Sequence, residues 1–251
     1  MQATFRNPAY RGKSIYHIHI PKCAGDSLVA AFRKHLDPRE MVIPDAVAIY
    51  LAARQSRHCR NEHEFETLQL GIKQGHLLYH LNRRPAVLSG HLPYSPRAFE
   101  YFGKDYAFVT LLREPLERFI SHVIYLVFAQ PRTSVEEYRS GRVDPADEVR
   151  RIVFGNIGPF MASNISVYLG GLQASGEADL DRRVDASIEA LEHCELVGFA
   201  DRLERFGQVF GERFGVPLTL ERHNTIEDVQ SDRALGERAR AGFSGEVLAR
   251  A

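Results

Sequence analysis

The chain has no run approaching the ~20 consecutive apolar residues that cross a bilayer. Its first residues, MQATFRNPAYRGK, lack the apolar core of a secretory leader. Cysteine is scarce. Cys23, Cys59 and Cys194 are odd in number, far apart and without CxxC spacing, which argues against a disulfide framework or a cysteine zinc site. A reducing cytoplasm is the expected setting. An excess of one charge is also missing, since 32 Lys and Arg balance 32 Asp and Glu. That excludes a broadly basic nucleic-acid binder, whose phosphate contacts need a cationic surplus. A local anion pocket of a few Arg and Lys stays open. Repeats, low-complexity tracts and Gly/Ser linkers are absent as well. What is present, 251 residues at 44% hydrophobic, suffices for one compact domain spanning 1–251.

Ser14–Ile20 is short, β-branched and aromatic, and stops at Pro21, so it reads as a strand. After a short loop, residues 27–36 carry Leu28, Ala31, Phe32 and Leu36 at helical spacing, with Asp26 or Ser27 as N-cap. Residues 45–56 and 62–82 read as helices with early acids and late bases. Residues 86–90 and 106–112 read as strands, the latter a nearly continuous apolar run covered on both faces. Pro115 opens a helix whose apolar stripe runs to Val127. Residues 130–145 read as loop. Helices follow at 146–154, 160–170, 180–193 and 202–214, with a strand at 196–199. This alternation predicts an α/β domain with a largely parallel sheet. Ligands in such folds sit at the carboxyl ends of strands. Residues 21–27, Gly90-His91 and Arg113 all fall at such ends.

Two joins carry chemistry. In His19-Ile-Pro-Lys-Cys-Ala-Gly-Asp-Ser27, a strand turns through small residues into a helix, which offers backbone N–H groups to an anion. Ala24 and Gly25 permit close approach and Lys22 adds a charge. The competing reading is an ordinary turn with a surface lysine, and the loop alone does not separate the two. GxxxxGK[ST] is absent, which disfavours a P-loop-type kinase. The second join is Thr110–Ser121. Arg113 ends a strand there, and its planar fork suits a phosphate monoester, with Ser121 two turns into the helix as a further donor. Glu114 and Glu117 are alternative partners for Arg113 and Arg118, and for Arg118 the structural pairing with Glu114 is preferred.

IPKCAGDSL resembles the 5′-phosphosulfate loop of the sulfotransferase superfamily, PKxAGTS, and REPLERFIS resembles its 3′-phosphate segment, R-[DE]-P-x-x-R-x-x-S. Ser89-Gly-His-Leu-Pro-Tyr94 is similar to the segment that bears the catalytic histidine in the carbohydrate branch related to heparan and uronyl 2-O-sulfotransferases. Residues 196–204 and Arg222-His-Asn224 add weaker echoes. The resemblance implies a P-loop-like three-layer domain with helices on a central sheet. It also implies 3′-phosphoadenosine 5′-phosphosulfate (PAPS) as donor, no metal, and a small-molecule or glycan hydroxyl as acceptor. By position it implies that Lys22 meets the bridging oxygen and 5′-phosphate. Ala24, Gly25, Asp26 and Ser27 form the 5′-phosphate loop, Arg113 and Ser121 hold the 3′-phosphate, and His91 is the base. Asp26 departs from the family's threonine, and its carboxylate is expected to weaken donor binding. A module that binds nucleotide without catalysis is the alternative from another class.

Other residues are weighed and set aside. His17 and His19 share a strand face, where packing is preferred over a zinc pair. His76 and His80 lack the HExxH pattern. Cys23 is read as a small filler. Arg54, Arg57, Arg60, Arg83, Arg84 and Arg97 are read as a solvated face rather than an acceptor groove. Glu62, Glu64 and Glu66 are the alternatives should His91 not be the base.

Overall fold

The structure, a computed structural model, describes residues 12–35, 38–45, 49, 62–129, 134–155, 157–171, 180–221 and 233–249. In chain order the strands are β1 (Ser14–Ile18), β2 (Met41–Val42), β3 (Val87–Gly90), β4 (Tyr106–Leu112) and β5 (Leu196–Phe199). The helices are α1 (Gly25–His35), α2 (Glu62–Asn82), α3 (Pro96–Phe102), α4 (Pro115–Ala129), α5 (Val135–Arg139), α6 (Pro145–Val153), α7 (Ile157–Ala162), α8 (Asn164–Gly170), α9 (Leu180–Glu192), α10 (Leu203–Phe214), α11 (Arg233–Ala241) and α12 (Gly245–Leu248), with a 3-10 turn at Pro38–Glu40.

All five strands are parallel, in the order β2-β3-β1-β4-β5, with helices flanking the sheet. Ile18 pairs with both Gly90 and Thr110, so β1, β3 and β4 run level near their carboxyl ends. The chain leaves β1 toward β2 and leaves β4 toward β5, in opposite directions. Neighbouring strands whose connections part this way open a crevice at their carboxyl ends, the usual ligand position in such sheets.

The described contacts cluster into two compact units, Met1–Leu112 with Ile165–Glu221, and Arg113–Asn164 with Arg222–Ala251. The first contains the sheet. Its core joins Ile15, Ile18, Val87, Phe108 and Leu111 of the strands to Leu28, Phe32, Phe206 and Phe210 of the helices. The strand β4 buries nearly every residue, as its apolar run requires. The second unit is helical, with Phe119, Val123, Ile124 and Val127 of α4 meeting Tyr138, Val149, Ile152 and Met161.

Several boundaries differ from the sequence reading. The first strand ends at Ile18, and α1 begins at Gly25, which places Asp26 and Ser27 inside its first turn rather than at its cap. The stretch read as loop contains α5, closed by a capping box in which Ser134 Oγ accepts from the Glu137 amide and the Glu137 carboxylate accepts from the Ser134 amide. The α3 helix, capped by Ser95 with Pro96 in its first turn, and the two-residue β2 were not anticipated. Residues 160–170 form two helices rather than one. Most of the expected 45–56 helix lies outside the described residues, as do Arg54, Arg57, Cys59, Arg60 and Arg222-His-Asn224.

Candidate active site

In the first unit the site starts from the loop between β1 and α1. Lys22 has φ 66° and Ala24 φ 60°, both left-handed, with Cys23 between them at negative φ. Left-handed backbone costs a non-glycine residue roughly 1–3 kcal/mol and collects at ligand clamps. Alternating signs of this kind curl successive N–H groups toward one concavity, which suits an anion. The Ala24 carbonyl accepts from the Leu28 amide at 3.3 Å, the first bond of α1. The amides of Gly25, Asp26 and Ser27 are therefore first-turn amides that face the loop rather than an earlier helical turn. Ser27 and Cys23 are buried, Lys22 is half-buried and Asp26 is exposed.

Two glycines have steric causes. A Cβ on Gly25 would fall 2.0 Å from His19 Cδ2 and 2.1 Å from His19 Nε2, so an imidazole occupies the space a side chain would need. A Cβ on Gly90 would lie 2.9 Å from Pro44 Cδ. The close approach expected at Gly25 therefore has a protein partner.

The ends of β1 and β3 are tied together. The His19 amide donates to the Gly90 carbonyl at 3.2 Å, and His91 Nδ1 lies 2.8 Å from the His19 carbonyl. A carbonyl only accepts, so Nδ1 carries the proton. In the neutral ring Nε2 is then the basic nitrogen. Burial lowers the His91 pKa from its ordinary 6.5, and the Lys73 charge adds to that; the bond to His19 and the Asp26 carboxylate oppose it. His91 is only half-buried and stays within reach of a ligand. Beyond it, Tyr16 Oη donates to the carbonyls of Leu92 at 2.9 Å and Pro93 at 3.0 Å, and the Tyr94 amide donates to the Tyr168 carbonyl at 2.7 Å. These bonds hold the segment that follows His91.

His17 and His19 do share a face. Their rings stack at 5.3 Å with 16° between planes, and His19 meets His91 at 4.3 Å. His17 Nδ1 lies 2.8 Å from Ser89 Oγ. Burial, then the nearby His91, pushes the His17 pKa down to about 3. His19 falls well below its ordinary value through burial first, then the charges of His91, His17 and Lys22. The pair acts as neutral packing behind the loop. Among the described residues no group of three or more His, Cys, Asp or Glu is placed to hold a metal ion.

In the second unit, Arg113 lies 3.6 Å from the Glu117 carboxylate, and Ser121 is buried one turn further along the same face of α4. Arg118 does not pair with Glu114 as the sequence reading preferred. It is fully buried, and its Nη2 donates to the carbonyls of Met161 and Ala162. The Glu114 carboxylate instead accepts from the amides of Leu116 at 3.0 Å and Glu117 at 2.6 Å, and these bonds hold its pKa down.

The sequence reading missed Lys73 on α2 and Tyr168 on α8. Lys73 Nζ donates to Tyr168 Oη at 3.0 Å, and both residues are buried. The Tyr168 ring meets His91 at 6.1 Å, edge to face. Lys73 on a buried helix face was the available signal. Of the residues set aside, Cys23 lies in the core. Arg83 donates to Tyr79 Oη at 3.3 Å, Arg84 lies 3.9 Å from Asp105, and Arg97 sits 5.8 Å from the Tyr101 ring centre, all on the surface. His76 is exposed and His80 half-buried, with ring centres 6.0 Å apart. Glu64 is half-buried on α2, while the side chains of Glu62 and Glu66 lie outside the described residues.

Among the described residues no helix is long and apolar enough to cross a membrane. No protein-family model matches the chain, and no curated protein is significantly similar to it.

Proposed function

We propose that this protein is a PAPS-dependent O-sulfotransferase acting on a hydroxyl of a carbohydrate or other small acceptor in the cytoplasm. The observation that carries the reading is His91. Its Nδ1 is committed to the carbonyl of His19, which links β1 to the Lys22–Ser27 loop, and its Nε2 is left basic. The motif resemblance and the left-handed Lys22 and Ala24 support the same reading.

In this reaction the acceptor oxygen attacks sulfur while the bond from sulfur to the bridging phosphate oxygen breaks. Nε2 of His91 takes the acceptor proton, and adenosine 3′,5′-bisphosphate leaves. A hydroxyl is a weak nucleophile, so a base neutral at working pH is needed, and a histidine with a lowered pKa meets that need. Charge grows on the departing phosphate, where Lys22 and the amides of the loop stabilise the transition state beyond the ground state. The resemblance assigns the 3′-phosphate to Arg113 and Ser121.

Thermal melting with adenosine 3′,5′-bisphosphate and with ATP, followed by a sulfate-transfer assay from PAPS across an acceptor panel, tests the reading. Bisphosphate at ~100 times its dissociation constant should stabilise by about 2.7 kcal/mol, and ATP by much less. Equal shifts from the two nucleotides would sink the assignment. Bisphosphate binding with no transfer to any acceptor would favour a binding module.

A further inference from the structure

Lys73 is 6% exposed, yet among the described residues its only hydrogen-bond partner is a neutral phenol, Tyr168 Oη at 3.0 Å. Its ammonium also lies 4.9 Å from the centre of that ring. An ammonium taken out of water needs a counter-charge, and among the described residues no carboxylate pairs with it within 4.0 Å.

The donor count sharpens this. Lysine has three N–H donors and no acceptor, and one of them is spent on Tyr168. The phenol oxygen accepts that bond, so the Tyr168 hydroxyl keeps its own proton to donate elsewhere. Counted against the described residues, the pair thus offers two N–H groups and one O–H group, all donors. Gln69, also buried, sits one turn earlier on the same face of α2. The chemical complement of clustered donors around a cation is an oxyanion.

Its position matters. The Tyr168 ring stands edge to face against His91, with centres 6.1 Å apart. The Tyr168 backbone carbonyl accepts from the Tyr94 amide and so holds the segment that follows His91.

We propose that Lys73 and Tyr168 form an oxyanion subsite beside His91. The subsite holds a negatively charged group of the ligand while His91 Nε2 faces its hydroxyl. Two sources share this chemistry: an acidic group carried by the acceptor, and the oxygens of the sulfuryl group during transfer. The subsite's use in transfer rests on the proposed sulfotransferase reading, whereas the binding itself does not.

The test uses the full chain labelled at histidine and tyrosine ring carbons, with His91→Gln and Tyr168→Phe assigning the signals. Sodium sulfate, sodium glucuronate and glucose are titrated at constant ionic strength, and the His91 and Tyr168 ring resonances are followed. A saturable shift with at least one oxyanion and none with glucose is expected. Affinity should fall at least tenfold in Lys73→Met and several-fold in Tyr168→Phe. Saturation by sulfate alone identifies the group in transfer, and saturation by glucuronate identifies an acidic acceptor. No saturable shift with either anion overturns the proposal, as does a shift that Lys73→Met leaves unchanged. Should Lys73→Met fail to fold, Tyr168→Phe, which loses one hydroxyl, reads the same interaction. A missing melting shift with adenosine 3′,5′-bisphosphate beside a Lys73-dependent anion titration fells the transferase reading and leaves the subsite standing. The reverse pattern fells the subsite alone.

Discussion

The imidazole of His19 fills the space where Gly25 would carry a side chain: a β-carbon there would sit 2.0 Å from the ring. The first residue of α1 is thereby held against the residue that follows β1, and the contact is steric rather than polar. Gly25→Ala should destabilise the protein by about 1–3 kcal/mol, the usual cost of overpacking. His19→Ala should relieve most of that cost. A double-mutant cycle read by urea unfolding checks this, and purely additive effects would remove the steric coupling.

His91→Gln should cut turnover by ~10²–10⁴-fold while leaving bisphosphate affinity unchanged. The base works unprotonated, so activity should fall as pH drops through its folded pKa, which lies below 6.5. Charged groups from two helices bias that midpoint in opposite senses. Asp26→Asn removes a carboxylate that raises it and should move the acid limb lower, whereas Lys73→Met should move it higher. A pH–rate profile that the two substitutions shift in the same direction would refute the assignment of the limb to His91.

Glu117 pairs with Arg113, with 3.6 Å between the charges, and would compete with a bound phosphate. Glu117→Gln should therefore enlarge the melting shift given by adenosine 3′,5′-bisphosphate. Arg113→Ala should erase most of the preference over ATP, since a charged hydrogen bond contributes ~1.5–3 kcal/mol. Unchanged shifts in both variants would take Arg113 out of nucleotide binding.

Acid should destabilise the fold through two histidines. His17, held to about 3, and His19, held well below its ordinary value, stay neutral in the folded chain. The unfolded chain protonates both near pH 6.5. Their contribution is therefore fully present above pH 6.5 and is lost as pH falls toward the folded values, at about 1.4 kcal/mol per pH unit for each histidine. Urea midpoints measured from pH 7 to pH 5 should drop, and His17→Gln should make the slope shallower. A flat profile would count against neutral burial.

Much of the sheet was legible in the sequence because β4 and the strand before Pro21 are short, mostly apolar and β-branched or aromatic runs. The strand-end positions of the Lys22 loop and His91 followed from that alternation alone. What escaped depends on contacts distant in the chain. Lys73 and Tyr168 are 95 residues apart, and neither spacing nor composition ties them together. Two residues of β2 are too few to show a period. The Ser134–Glu137 box was different, because its S-x-x-E pattern stands in the chain, and the neighbouring Pro131 and Gly141 led to a loop reading instead. The Gly25 clash with His19 was hidden for another reason: a glycine before a helix reads equally well as a place for phosphate.

His91 and the Lys22 loop hang on the carboxyl end of one short piece of parallel sheet, through the bonds from His19 to Gly90 and from His91 to His19. Lys73 and Tyr168 arrive on two separate helices. On the proposed reading, reaction and selectivity would thus be carried by different parts of the scaffold. Substitutions on those helices would then change what is accepted, while the register of Ile18 with Gly90 keeps His91 and the loop in place.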